Sequence, residues 1–121
     1  MFDVLFYEDQ NGYSELFEEI QRLEEKSHNN KNSRIIYNQI VFCIELLSQY
    51  GTRVPNNITK HIQCDIWELR PGKNRILYFY FKDNKYVLLH MFVKKTQKTP
   101  KKEIEKAIKE MNDFVIRQEG D

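Results

Sequence analysis

The sequence predicts an α+β fold in which an N-terminal helical hairpin and a C-terminal helix pack on a mostly antiparallel β-sheet. Three observations predict it. Hydrophobic residues recur at helical spacing twice before residue 51 and once after residue 100. Between them, segments rich in aromatic and β-branched residues alternate with short turns. A chain of 121 residues that is 40% hydrophobic, with only 4 glycines and 3 prolines, suits a single folded domain over residues 1–121 rather than a disordered or fibrous chain.

The elements follow in order. Phe2-Asp3-Val4-Leu5-Phe6-Tyr7 reads as a first strand, and Asn11-Gly12 ends it. Ser14 caps a helix with Phe17, Ile20 and Leu23 on one face, and Glu15, Glu18 and Glu19 meet the positive end of its dipole. Polar residues 27–32 form a loop, and Asn32 or Ser33 caps a second helix whose stripe of Ile36, Ile40, Cys43, Ile44 and Leu47 ends at Tyr50-Gly51. After Pro55, Ile58 and Ile62 sit in short extended pieces.

The clearest hairpin joins residues 66–70 to 75–81 through Pro71-Gly72-Lys73-Asn74, and Asp83-Asn84 turns the chain into 86–93. These make a meander of three strands. Thr99-Pro100 opens a last helix bearing Ile104, Ala107, Ile108, Met111 and Val115, expected to fray from Gln118 onward. The order is β-α-α-β-β-β-α. Tyr78, Phe79, Tyr80 and Phe81 must alternate between faces, so one pair packs under helices and the other is available to stack on bases if its face is open.

A formal net charge of +1 conceals a strong asymmetry. Residues 1–50 carry a net charge of −5, residues 51–109 a net of +9, and residues 110–121 a net of −3. The basic part includes Arg53, Arg70 and Arg75 and the acid-free run Lys94-Lys95-Thr96-Gln97-Lys98-Thr99-Pro100-Lys101-Lys102. Gathered on one face, these would attract a phosphate backbone. The opposing reading of a lysine-rich stretch is an ordinary solvated surface.

Several chemistries lack their signature. Gly12, Gly51, Gly72 and Gly120 are isolated, so there is no phosphate-binding glycine loop, and no dinucleotide fingerprint. Cys43 and Cys64 have no CxxC spacing and read as reduced thiols. His28, His61 and His90 fall in different elements, which disfavours a metal site. No signal peptide or membrane-length apolar run occurs, and the expected location is cytoplasmic, with no membrane role. His90, within Leu88-Leu89-His90-Met91-Phe92, reads as an imidazole hydrogen-bonded in the core, whereas His61 reads as exposed and able to exchange protons near neutral pH.

Ile66-Trp67-Glu68-Leu69-Arg70, Arg75-Ile76-Leu77-Tyr78 and Leu89-His90-Met91-Phe92-Val93-Lys94-Lys95-Thr96-Gln97-Lys98-Thr99-Pro100 together resemble the HigB branch of the RelE/ParE toxin superfamily, from the first strand through the last helix. The resemblance implies a toxin that cuts messenger RNA, commonly on the ribosome, and is neutralised by a HigA-like helix-turn-helix antitoxin. It implies a reaction without metal or cofactor, in which the RNA 2′-oxygen attacks the adjacent phosphate and releases a 5′-hydroxyl. Arg75 matches an arginine widely retained in the superfamily, although Asn74 stands where a tyrosine is usual. Ile66 and Glu68 replace lysines that RelE carries on the preceding strand, and no counterpart of its C-terminal tyrosine appears near Lys101.

Such a reaction gathers negative charge on phosphate oxygens, which fixed cationic donors stabilise. Arg75 is the first candidate because guanidinium offers a rigid fork to two oxygens. Arg70 would share that work or orient Glu68. Lys94 and Lys95 are placed to hold the backbone or protonate the leaving oxygen, and the general base lies among His61, Lys94, Lys95 and Glu68. Arg53, Lys60, Lys73, Lys98, Lys101 and Lys102 are candidates for RNA contact. Two other readings fit the same residues: a nucleic-acid-binding or gyrase-inhibiting toxin without RNase activity, and a phage or chromosomal structural protein whose basic face binds a protein.

Overall fold

Ser14 accepts the Phe17 N–H at 3.1 Å and starts helix α1 (Glu15–Lys26). Asn30, rather than Asn32 or Ser33, caps α2 (Lys31–Tyr50), its Oδ1 accepting the Ser33 N–H at 2.9 Å. The 27–30 turn is therefore shorter than its polar composition suggested, and Lys31 and Asn32 already belong to the helix. In the computed structural model, which describes residues 1–119, the other elements are β1 (Asp3–Phe6), β2 (Thr59–Gln63), β3 (Ile66–Leu69), β4 (Asn74–Tyr80), β5 (Lys85–Val93) and α3 (Lys101–Glu119).

The five strands form one sheet in the order β1-β5-β4-β3-β2. β1 lies parallel to β5, and every other pair is antiparallel. The expected meander is present as β3-β4-β5. The extended piece after Pro55 adds a fourth strand to this run, β2, which pairs with β3 through Thr59, Lys60 and His61. α3 remains helical through Glu119, past the expected fraying point; the last two residues of that expectation lie outside the described residues. No helix among the described residues is long and apolar enough to cross a membrane.

Side-chain alternation divides the core. Leu69, Ile76, Tyr78, Tyr86 and Leu88 pack with Leu16, Ile40, Cys43 and Leu47 of α1 and α2. Ile66, Leu77, Phe79, Val87 and Leu89 point the other way, onto Ala107 and Phe114 of α3. Both faces of the sheet are thus covered. Of the four consecutive aromatics, Tyr78 and Phe79 are buried, Phe81 meets Phe114 edge-on at 5.1 Å, and Tyr80 stands 5.3 Å from the Tyr86 ring. No open aromatic platform results, because the helix expected to cover one face is matched by the helical pair on the other.

One irregularity matters below. Leu77 pairs with His90 while Tyr78 pairs with Leu88, so Leu89 is an extra residue, a β-bulge. Leu89 and His90 therefore both face α3, whereas strict alternation would send His90 to the α1 and α2 side.

Candidate active site

The β3–β4 turn brings the two strand-borne arginines together. Gly72 adopts φ +59, where a side chain would be strained, and a Cβ there would also displace the Gln39 carboxamide of α2, so the corner favours glycine. The turn closes when the Asn74 N–H donates to the Pro71 carbonyl at 3.0 Å, and β4 then starts with Asn74 and Arg75.

Glu68 is the centre of the cluster. It is 2% exposed, on the face of β3 turned toward α3. Its Oε1 accepts from Arg70 Nε at 3.1 Å and stands 3.7 Å from Arg75 Nε, and its Oε2 accepts from the Thr99 hydroxyl at 2.6 Å. Arg70 also donates to the Asn56 carbonyl, and Arg75 Nη1 donates to the carbonyls of Gly72 and Asn74, both at 2.7 Å. Arg75 is thereby fixed in direction. Burial lowers its pKa from the ordinary arginine value, with neighbouring Arg70 acting the same way and Glu68 opposing. Its Nε is buried without a hydrogen-bond partner. A guanidinium so held is fixed in direction by its own turn and by Glu68.

The basic loop after β5 is pinned beside this cluster at both ends. The Lys94 N–H donates to the Lys73 carbonyl at 2.9 Å, and Thr99 holds Glu68. Lys94 is half-buried, while Lys73, Lys95, Lys98, Lys101 and Lys102 are exposed. Lys60 pairs with Glu68 across β2–β3 and so belongs to the same sheet face.

Two other candidates lie elsewhere. His61 pairs with Trp67, whose side chain packs on the α1 and α2 side; its Nε2 contacts the Cys64 carbonyl at 2.6 Å, and its ring lies 5.2 Å from Trp67. It is thus on the opposite sheet face from Glu68. Arg53 follows α2 beside Gly51, which abuts Tyr86 at the far end of β4–β5 from Arg75.

Thr99, quoted in the basic motif without a role, proves to be the clasp on Glu68. His90 is buried and hydrogen-bonded, as its setting predicted, but its partners are two carboxylates of α3, Glu103 and Glu110. The visible signal was that Glu103, Ala107, Glu110 and Phe114 share one helical face, placing acids within a sheet-facing stripe. Cys43 and Cys64 are both free thiols, and burial pushes that of Cys43 up to about 11.

The family model described as phage derived protein Gp49-like (DUF891) matches residues 18–112. Two solved structures resemble the fold. One is the crystal structure of the heterotetrameric YoeB-YefM toxin-antitoxin complex from Staphylococcus aureus, at 13% identity and TM-score 0.53, covering 79% of this chain and 98% of that chain. The other is a YoeB-YefM complex from Staphylococcus aureus, at 13% identity and TM-score 0.54, covering 78% of this chain and 99% of that one. No curated protein matches in sequence. The likeness is one of fold, and that fold is the RelE-like α+β arrangement.

Proposed function

Because this chain belongs to the family of phage-derived Gp49-like proteins, we propose that it is the toxin of a type II toxin–antitoxin pair, an endoribonuclease of the HigB branch that cuts messenger RNA and so blocks translation. The observation that carries this reading is the Glu68-centred cluster, in which Arg70, Arg75 and Thr99 of the basic loop meet on one buried carboxylate. The fold shared with a chain of a toxin–antitoxin complex supports it; the partners, a helix-turn-helix antitoxin and the ribosome, are those that the HigB resemblance implies.

In this reading the 2′-oxygen attacks the neighbouring phosphorus, the P–O5′ bond breaks, and a 2′,3′-cyclic phosphate and a 5′-hydroxyl result. Arg75 stabilises the charge that develops on the phosphoryl oxygens. Arg70, Arg75 and Thr99 occupy both oxygens of Glu68, so this carboxylate orients cations rather than accepts the 2′-proton. His61 lies on the other sheet face. Lys94 and Lys95 remain as the groups to exchange protons with RNA, and an ammonium there supplies the proton to the departing 5′-oxygen.

Expression of the chain without its antitoxin is expected to arrest growth and to generate new RNA 5′ ends; co-expression of the antitoxin restores growth. Soluble protein that leaves growth and RNA ends like those of an empty vector would reject the assignment. Growth arrest without RNA cleavage would support a gyrase-inhibiting or other nucleic-acid-binding toxin instead.

RNA affinity is also expected to fall with salt. Each phosphate neutralised on single-stranded RNA contributes a log–log slope of about −0.7, so replacing Lys94 and Lys95 with alanine should flatten the slope by about 1.4. Circular dichroism should stay unchanged, because Lys95 is exposed and Lys94 helps to hold the loop through its backbone N–H, which alanine keeps. An unaltered slope would remove both lysines from the RNA surface.

A further inference from the structure

His90 stands apart from the groups assigned so far, yet it is the most completely buried titratable contact with α3. Its side chain is 1% exposed; Nδ1 lies 2.6 Å from Glu110 Oε1 and Nε2 lies 3.0 Å from Glu103 Oε1. The carboxylate side chains are themselves only 14% and 19% exposed. The bulge at Leu89 is what turns the ring to this side.

Two contacts of hydrogen-bond length to carboxylate oxygens need two hydrogens, and a neutral imidazole carries one N–H. The second sits on the other ring nitrogen or on a carboxyl oxygen. Satisfying both contacts at once therefore takes one proton more than a neutral histidine beside two carboxylates. Removing it sets a ring lone pair against an oxygen lone pair at contact distance, in a setting with little water to screen them. The contact to Glu103, at 3.0 Å against 2.6 Å, is the weaker of the two.

Glu103 lies in the first turn of α3, four residues after Thr99. We propose that His90 is a positioning residue: by bridging Glu103 and Glu110 it fastens the first turn of α3 to β5, and its proton thereby sets the conformation of the basic loop at residues 94–99. This rests on the reading that the loop meets RNA. The other groups around the ring leave the proton to this trio. Lys106, on the same helix, extends toward Glu15 of α1 at 3.6 Å. Tyr7, near Glu110, keeps its own proton, its hydroxyl pushed up to about 12 by burial first and then by its hydrogen bond to Asp113 and the nearby carboxylates. The sheet presents Leu77 and Phe92 to the ring, and Arg75, opposite Phe92, is committed to its own turn and to Glu68.

The test uses the full ¹⁵N-labelled chain. Long-range ¹H–¹⁵N spectra read the protonation of the His90 ring, and the amides of Lys95, Thr96 and Thr99 read the loop. The expected result is one shared midpoint for ring and loop. Above it, single-turnover RNA cleavage drops on the order of 100-fold, the scale of a misplaced contact. In Glu110→Gln the carboxamide donates to Nδ1, so a neutral ring satisfies both contacts and loop and cleavage no longer respond to pH in that range. In His90→Gln, whose one amide nitrogen cannot span two carboxylates held by separate ring nitrogens, the loop amides should sit at their high-pH positions throughout. Urea melts identify the folded variants, and either one suffices.

Loop amides that stay fixed while His90 titrates would overturn the proposal, as would a folded Glu110→Gln with the wild-type pH response. If ring and loop titrate together but no RNA is cut at any pH, the coupling stands and the RNase reading fails.

Discussion

Replacing Arg75 with alanine is expected to slow single-turnover RNA cleavage by about 100- to 1,000-fold, the loss seen when one transition-state donor is removed. Affinity for uncleaved RNA should fall far less, because ground-state contacts are spread over Lys73, Lys94, Lys95 and Lys98. The cluster explains the difference. Arg75 is aimed by two backbone carbonyls of its own turn and by Glu68, and it need not reorganise when charge develops on the phosphate. The rival view is that Arg75 only joins β3 to β4. Urea melts on the same preparation separate the two: an intact fold with lost cleavage assigns chemistry, and an intact fold cutting at the wild-type rate excludes Arg75 from it.

Glu68→Ala is expected to destabilise the protein by about 3–5 kcal/mol, the range found when one partner of a buried ion pair is removed. The figure applies because the partners are well shielded: side-chain exposure is 3% for Glu68, 11% for Arg75 and 22% for Arg70. Deleting the carboxylate leaves two guanidinium groups facing each other and frees Thr99, so both ends of the site loosen together. Glu68→Gln should fall between, since a carboxamide still accepts from Thr99 but carries no charge. Combining Glu68→Leu with Arg75→Met should recover part of the loss, because one of the two uncompensated guanidinium groups goes with it while Arg70 keeps the Asn56 carbonyl. A cost below about 1 kcal/mol for Glu68→Ala, set against ordinary surface ion pairs, would mean that the carboxylate does not organise the cluster.

Local signals made most of the fold legible. Ser14, the Pro71-Gly72 turn and Pro100 each act within a few residues of themselves, and each marks the boundary it was expected to mark. Three features depended on distant partners. β2 is short and polar, with only Thr59 fully buried, and it is a strand because β3 offers an open edge. The cap of α2 moved to Asn30 because several residues of the 27–33 stretch carry capping side chains, and packing of the helix chooses among them. The bulge at Leu89 has no composition of its own.

The site divides along the same line. Arg70, Arg75, Lys94 and Lys95 could be named from charge, turn and strand position. Glu68 was visible as an acid among bases, and its central place became apparent only when Thr99, 31 residues away, was found on its second oxygen. The sidedness of His61 follows from cross-strand register, which composition does not carry.

The pairing of β1 with β5 has a consequence for how the chain is made. Asp3–Phe6 leaves the ribosome about 80 residues before its neighbour Lys85 does. At roughly 5–20 residues per second, this apolar strand waits on the order of 4–16 s without a partner. The β4–β5 hairpin, by contrast, closes between near neighbours in sequence as soon as it emerges. Tyr7 must then find Asp113, and Arg117 the Glu8 carbonyl, so the last helix synthesised latches the first strand in place. During synthesis, therefore, aggregation risk is concentrated in β1, and capture of that segment by a chaperone would delay the sealing of the sheet while the β3–β4–β5 part of the site is already assembled.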